Sequence, residues 1–98
     1  MPLHFRSFEF DPGKSAANLA KHGLSLAAAA HLWNDPDLSE ALSRYPAEPR
    51  RIAIGLLEGK HWTVVFTHRA NTIRLISARR SRENEKQIYE AQKGSHDR

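Results

Sequence analysis

The first part of the chain has the spacing of a helix. Asp11 followed by Pro12 is typical of a helix start, because Asp caps unpaired N–H groups and Pro fits the first helical position. Gly23 is expected to end this helix, because glycine tolerates the left-handed closing conformation. The apolar residues between them follow a helical spacing that gives one apolar face: Ala16, Ala17, Leu19 and Ala20.

A second, shorter helix is predicted directly afterwards. Ser25 is a suitable cap for a helix from Leu26 to Trp33, and the pair Asp35 and Pro36 stops it. Residues 36–50 contain three of the five prolines among polar residues. We interpret them as an irregular connection with a short edge strand near residues 41–43.

Beyond residue 50 the apolar pattern changes to a period of two, which is typical of strands. Turn signals at Glu58–Gly59 and Ala70–Asn71 divide this region into three strands, which predicts an antiparallel meander. Another strand is predicted at the N-terminus, around residues 5–10. The alternating positions of the meander are Ile52, Ile54 and Leu56, then Trp62, Val64 and Phe66, then Ile73, Leu75 and Ser77.

A charged helix is predicted to close the chain. It begins near Ser81 or Arg82 and runs to about Lys93, with Ile88 and Tyr89 as its large apolar residues. The order is therefore strand, two helices, a small meander and a helix, which defines an α+β fold. With 98 residues, we expect a single domain over 1–98, with 1–7 and 94–98 as peripheral tails.

Composition narrows the classes of function. A formal net charge of +4 favours polyanions, nucleic acid above all, although a surface that meets an acidic partner would have the same charge. The absence of cysteine excludes disulfides, zinc–thiolate sites and thiol catalysis. No stretch resembles a signal peptide or the roughly 20 apolar residues of a membrane span, so we expect a cytoplasmic protein without a membrane partner.

The arginines concentrate in the meander and at the start of the last helix. The arginine side chain suits phosphate, because its planar fork bonds two oxygens at once. The alternative is that these residues pair with carboxylates or protect strand edges. The residues concerned are Arg50, Arg51, Arg69, Arg74, Arg79, Arg80 and Arg82.

The six histidines do not have the spacing of metal ligands, since none are paired as His-x-His on a strand or His-x₃-His on a helix. Neither a metal nor another cofactor is therefore expected.

RNA can be cleaved without a metal, because its own 2′-OH attacks the adjacent phosphate. The protein then needs proton-transfer groups and positive charge, which His, Tyr, Lys and Arg can supply.

Three blocks of the sequence together resemble the BrnT toxin family over residues 8–90. The first block, residues 8–23, is similar to the family pattern F-E-W-D-x-x-K-x-x-x-N-x-x-K-H-G, with Phe10 in place of Trp. The second covers residues 33–36 and 50–55. The third is the run Ile76-Ser77-Ala78-Arg79 with Glu85 and Tyr89 downstream.

This resemblance implies a RelE-like fold with helices on one side of a small antiparallel sheet. It implies a ribonuclease toxin of a type II toxin–antitoxin system that inhibits translation. It also implies a BrnA-like antitoxin, whose ribbon-helix-helix region binds operator DNA, in a complex expected to be a heterotetramer that represses its own operon. The toxin itself would meet operator DNA only through the antitoxin.

On this basis we assign candidate roles. Phosphate is held or neutralised by Arg50, Arg74 and Arg79, and the proton-transfer or base-stacking groups are His22 and Tyr89. Further contacts to RNA are assigned to Lys21, Arg69, Arg80 and Arg82.

Three of these residues have alternative roles. Arg74 would instead pair with a carboxylate, Tyr89 would anchor its helix, and His22 would cap the C-terminus of the first helix. A different class of function is a module that binds nucleic acid, or co-represses, without cutting.

Overall fold

A five-stranded sheet organises the structure, a computed structural model that describes residues 7–42 and 50–94. The spatial order of the strands is β1-β5-β4-β3-β2. The predicted α+β class and the succession of elements are confirmed. The elements are β1 (Ser7–Glu9), α1 (Pro12–His22), α2 (Leu26–Ala29), a 3₁₀ helix (Ala30–Asn34), β2 (Ser39–Leu42), β3 (Arg51–Leu57), β4 (Lys60–Arg69), β5 (Thr72–Arg80) and α3 (Glu83–Gly94).

The predicted meander is confirmed by the antiparallel pairing of β3 with β4 and of β4 with β5. The first turn has positive φ at both Glu58 (54°) and Gly59 (79°), which matches the twist of a two-residue hairpin. The edge strand predicted near residues 41–43 is β2, which pairs antiparallel with β3. Position 43 lies outside the described residues.

The N-terminal strand corrects the prediction of a purely antiparallel sheet. β1 pairs with β5 in the parallel sense, and Phe8 lies opposite Ile73. The sheet is therefore mixed. Apolar periodicity identifies a strand but not its neighbour, and the two partners here are more than 60 residues apart in sequence. Positions 5 and 6 of the predicted strand lie outside the described residues.

The apolar face predicted for α1 does not pack on the sheet. Ala16, Ala17, Leu19 and Ala20 are all exposed, whereas Ser15 and Asn18 are buried. The Ser15 hydroxyl accepts the N–H groups of residues 26 and 27, and Asn18 bonds to both the N–H and the C=O of Ala78 on β5. Polar contacts therefore attach α1 to its neighbours. Gly23 ends the helix with φ of 86°, as predicted.

The second predicted helix is confirmed at its start, where the Ser25 hydroxyl accepts the N–H of Ala28 at 3.0 Å. Only its first turn is α-helical, and the chain then tightens into the 3₁₀ helix. Leu26, Ala29 and Leu32 from this segment are fully buried. They pack on the apolar side of the sheet, which contributes Trp62, Val64, Phe66, Ile73, Leu75 and Ala78.

α3 packs on the opposite side of the sheet from α1 and α2, so the expectation of helices on one side is wrong. Its Glu85 contacts Thr63 and Arg79, which lie opposite each other in register. The neighbours of these two residues, Trp62 and Ala78, belong to the core on the other side. The sheet is thus covered on both faces.

The helices of the described residues are short, and α3 is the longest with 12 residues. A membrane-spanning helix needs about 20 apolar residues. None of the helices within residues 7–42 and 50–94 has the length and apolar character to cross a membrane.

Candidate nucleic-acid interface

A bulge in the sheet brings two predicted arginines to the same face. Arg74 and Arg79 lie five positions apart, which would place them on opposite faces of a regular strand. Between them the register of β5 shifts relative to β4. Leu75 and Ser77 pair with consecutive residues of β4, so Ile76 is the extra residue of a bulge. Arg74 therefore lies opposite Thr67 and Arg79 opposite Thr63, both on the α3 face of the sheet.

A groove lies on this face between α3 and the exposed part of the sheet. The sheet contributes Ile52 and Val65, which are cross-strand neighbours, and α3 contributes Ile88. The groove has a volume of about 870 Å³. We call it the arginine groove, because three arginines line it: Arg50, Arg79 and Arg82.

The guanidinium of Arg79 is held in a fixed orientation by Glu85. Two parallel hydrogen bonds of 2.8 Å join its Nη1 and Nη2 atoms to the two carboxylate oxygens. Nη1 also donates to the carbonyl oxygen of Arg80 at 3.3 Å. A bidentate contact fixes both the position and the plane of a guanidinium. The Arg79 side chain remains 24% exposed, so it can be reached from the groove.

Glu85 is buried, yet it is ionised. Burial alone would raise the pKa of its carboxyl group, but hydrogen bonds from Arg79, the Arg82 N–H and the Thr63 hydroxyl, together with the charge of Arg79, lower that pKa to about 2. Thr63 in turn shares a hydrogen bond of 2.7 Å with Ser81. The carboxylate is therefore a permanent negative charge at neutral pH and a very weak base.

The second basic cluster of this face is already partly neutralised. Arg74 and Arg69 both contact the carboxylate of Glu9, at 3.2 and 3.5 Å. The pairing of Arg74 is the alternative role that the sequence left open. Because one carboxylate faces two guanidinium groups, these three side chains together carry a net positive charge on the same face of the sheet as Arg79.

Three more of the predicted site residues lie away from both the arginine groove and the cluster around Glu9. Lys21 and His22 are exposed in the last turn of α1. Arg80 is exposed too, and its guanidinium lies 5.6 Å from the ring centre of Trp62, a residue of the opposite face. The structure therefore does not bring the side chains of these residues together with the guanidinium of Arg79.

Tyr89 is buried, with 1% of its surface exposed. Its hydroxyl donates a hydrogen bond of 2.7 Å to the Asp35 carboxylate, which also accepts the Leu56 N–H at 2.8 Å. Burial, followed by this hydrogen bond and the nearby charges of Asp35, Asp37 and Glu90, raises the pKa of Tyr89 far above its ordinary value. This environment fits the alternative role of Tyr89 as the anchor of α3.

Two residues that organise this region were missed as candidates from sequence. In sequence, an acidic residue such as Glu85 in the first turn of a helix argues against an anion site, because it compensates the helix dipole itself. Its spacing of three from Arg82 was nevertheless a usable signal, since a Glu at that position can accept the N–H of the residue before the helix. Asp35 carried no signal for its contact with Tyr89, 54 positions away.

The arginine groove combines guanidinium groups with aliphatic side chains. Fixed guanidinium groups suit phosphate oxygens, and aliphatic side chains beside them suit sugars or bases. Within the described residues, no three histidine or carboxylate side chains come together as potential metal ligands.

The fold and this groove define a small basic α+β protein with a groove that is lined by arginines. Residues 10–85 match the family model described as ribonuclease toxin, BrnT, of type II toxin–antitoxin systems. The chain therefore belongs to the BrnT family of ribonuclease toxins, which implies an antitoxin partner. No curated protein shows significant sequence similarity to the chain.

Proposed function

We propose that this protein cleaves single-stranded RNA in the arginine groove without a metal ion and thereby inhibits translation. The observation that carries the proposal is the fixed guanidinium of Arg79 in a groove that also contains Arg50 and Arg82. The family assignment supplies the reaction class, which is ribonuclease. The RelE-like architecture that the resemblance implies is part of this proposal.

In the proposed reaction the 2′-oxygen of one nucleotide bonds to the adjacent phosphorus, and the bond from phosphorus to the 5′-oxygen breaks. The products are a 2′,3′-cyclic phosphate and a 5′-hydroxyl. Water takes the proton of the 2′-OH and supplies one to the leaving oxygen. Arg79 stabilises the negative charge that develops on the phosphorane, and Arg50 and Arg82 hold neighbouring phosphates.

The cluster of Arg74, Arg69 and Glu9 extends the positive surface, and we assign it to phosphates that flank the cleaved bond. Lys21, His22 and Arg80 have no role in cleavage in this proposal.

The antitoxin is proposed to be BrnA-like, with a ribbon-helix-helix region that binds operator DNA, in a heterotetramer that represses the operon. We place the activity in the cytoplasm, where RNA and ribosomes are available.

A second candidate function is binding of RNA or another polyanion without cleavage. It is favoured by one observation: the described residues that line the arginine groove include no histidine or tyrosine. Among these described residues the one carboxylate is Glu85, which is too weakly basic to take a proton efficiently. The two candidates differ in what happens to the RNA.

The test is cleavage of a defined single-stranded RNA by the purified protein in excess EDTA, repeated with translating ribosomes. We expect the wild type to cut in at least one assay and the antitoxin to stop it. Arg79→Ala should lower the rate by about 100-fold, the usual effect of removing one electrostatic stabiliser of a transition state. Arg79→Lys keeps the charge beside Glu85 and should retain part of the activity.

Lys14→Ala is the matched control, because it removes one exposed positive charge from α1, on the other side of the sheet. It should stay within about 2-fold of the wild type, since one distant charge changes only the general electrostatic attraction. Intact RNA in both assays, combined with binding whose logarithmic salt slope falls by about 0.7 in Arg79→Ala, would favour the non-cleaving module.

A further inference from the structure

The carboxylate of Glu85 occupies an unusual position for an acidic group in a basic groove. It is 5% exposed and contacts Arg79, Thr63 and the Arg82 N–H at 2.8 to 3.0 Å. In the proposed reaction water takes the proton and arginines hold the phosphates, so neither step uses this negative charge. A role of Glu85 in this reaction would therefore depend on the groups it contacts.

Glu85 joins three elements at one point. It is the third residue of α3, and it accepts the N–H of the residue before the helix, as in a capping box. It also accepts hydrogen bonds from Thr63 on β4 and Arg79 on β5. The start of α3, the sheet and the guanidinium are thus held in one geometry.

The orientation of Arg79 depends on this junction. A long arginine side chain has several rotatable bonds and loses entropy when it is fixed. Here the cost is offset by the two parallel hydrogen bonds with Glu85, so the guanidinium already has its orientation before a phosphate arrives. Preorganised charge stabilises a transition state more than mobile charge does, because no reorganisation is needed during the reaction.

We propose that Glu85 is a positioning residue, which orients the Arg79 guanidinium toward the scissile phosphate and touches no substrate itself. The inference rests on the proposed function and goes beyond it. Removing the carboxylate should therefore impair the chemical step. Binding should be kept or strengthened, because a negative charge is lost from the groove while the arginine stays.

The test compares Glu85→Gln with wild type in whichever assay the wild type cuts RNA. We expect kcat, normalised to the folded fraction, to fall by about 10-fold or more, the scale of a lost electrostatic contribution. Affinity for a 2′-O-methyl RNA oligonucleotide, which cannot be cleaved, should stay within about 3-fold or become tighter, as expected when the lost interaction acts only in the transition state. Glu83→Gln is the matched control, because it removes a charge from the same helical turn at an exposed position.

A double-mutant cycle with Arg79→Lys tests whether Glu85 acts through Arg79. In that background, Glu85→Gln should cause little further loss of kcat, since the bidentate geometry is already gone. Glu85→Asp, which keeps the charge but draws it back from Arg79, should have an intermediate rate.

An unchanged kcat in folded Glu85→Gln, a fully additive loss in the cycle, or failure of both Glu85 variants to fold would overturn the inference and leave Glu85 a structural residue. If the wild type cuts no RNA in either assay, the proposed function fails instead, so the two failures are distinguishable.

Discussion

At the scale of a residue, the contacts of Glu85 lower the pKa of its carboxyl group by more than burial raises it. Its carboxylate is removed from water, which disfavours the charged form, yet three hydrogen-bonding groups and the Arg79 charge keep it ionised. An acidic residue in this groove therefore has a definite structural partner. Glu85 pairs with one guanidinium and fixes its orientation, in a groove that Arg50 and Arg82 also line.

The pKa of Glu85 predicts how stability depends on pH. The pKa is lowered from 4.5 to about 2 in the folded state, so between these values the unfolded state binds more protons. The ionised Glu85 carboxylate therefore stabilises the folded state fully above pH 4.5, and this stabilisation is lost as the pH falls toward 2. Urea unfolding of wild type and Glu85→Gln should show that their difference in unfolding free energy shrinks by about 3 kcal/mol across this range.

Glu83→Gln provides the control for general acid effects, because its carboxylate is exposed. The variant removes a carboxylate from the same turn of α3 and leaves the contacts of Glu85 in place. A wild-type advantage over Glu85→Gln that persists undiminished to low pH would contradict the assignment of the lowered pKa.

At the scale of an element, α1 reverses the usual arrangement of a surface helix. It exposes small apolar residues and buries Ser15 and Asn18. Asn18 bonds to the C=O of Leu24 at 2.7 Å and to the C=O and N–H of Ala78 at 2.8 and 3.2 Å. The amide thus satisfies backbone groups of a loop and of β5 that would otherwise be buried without partners.

Asn18→Ala should therefore be strongly destabilising. The change leaves the buried backbone groups of Leu24 and Ala78 without partners, which should cost about 2–4 kcal/mol in unfolding free energy. Denaturant unfolding measures this directly. Ala17→Gln on the exposed side of α1 should stay within about 0.5 kcal/mol of the wild type. The opposite ranking would mean that α1 packs through its alanines after all.

At the scale of the whole molecule, one contact connects the two faces of the sheet. α3 lies on the face with the arginine groove, whereas the 3₁₀ helix packs on the other. Asp35 follows the 3₁₀ helix and bonds to the N–H of Leu56, just beyond the part of β3 that pairs with β2. Tyr89 reaches the same carboxylate from α3. The contact around the sheet edge holds α3 in place.

Tyr89→Phe tests this connection, because it removes the hydroxyl and keeps the ring. We expect a loss of about 1.5–3 kcal/mol in unfolding free energy, typical of a hydrogen bond to a charged group. Cleavage per folded molecule should remain near the wild-type rate, since the hydroxyl is buried. A large loss of kcat in a stable variant would restore Tyr89 as a proton-transfer candidate.

Glu90→Gln is the matched control on the same helix. Its carboxylate is 54% exposed and contacts His61 at 3.2 Å. An exposed contact of this kind contributes at most about 1 kcal/mol, so this variant should be much closer to the wild type than Tyr89→Phe.

Much of the fold followed from local signals in the sequence. The Ser25 cap, the closing Gly23 and the turn at Glu58–Gly59 each depend on the conformational preferences of one or two residues. Such preferences act within a few positions, so sequence alone shows them. The pairing of β1 with β5, the inverted burial of α1 and the face on which α3 packs depend on distant partners and were not predicted.

The same distinction applies to the candidate site, where some features follow from the sequence and others only from the tertiary structure. The sequence determined which residue types were available: arginines at the strand ends, a basic surface, and a pattern that places the chain among ribonuclease toxins. Only the tertiary structure decided which of them meet. The shift in register beside Ile76 turned Arg74 and Arg79 to one face, and Glu85 was joined to Arg79. The type of each side chain can be seen directly in the sequence. Which side chains lie close together depends on strand register and on packing between distant segments, and local patterns do not specify these.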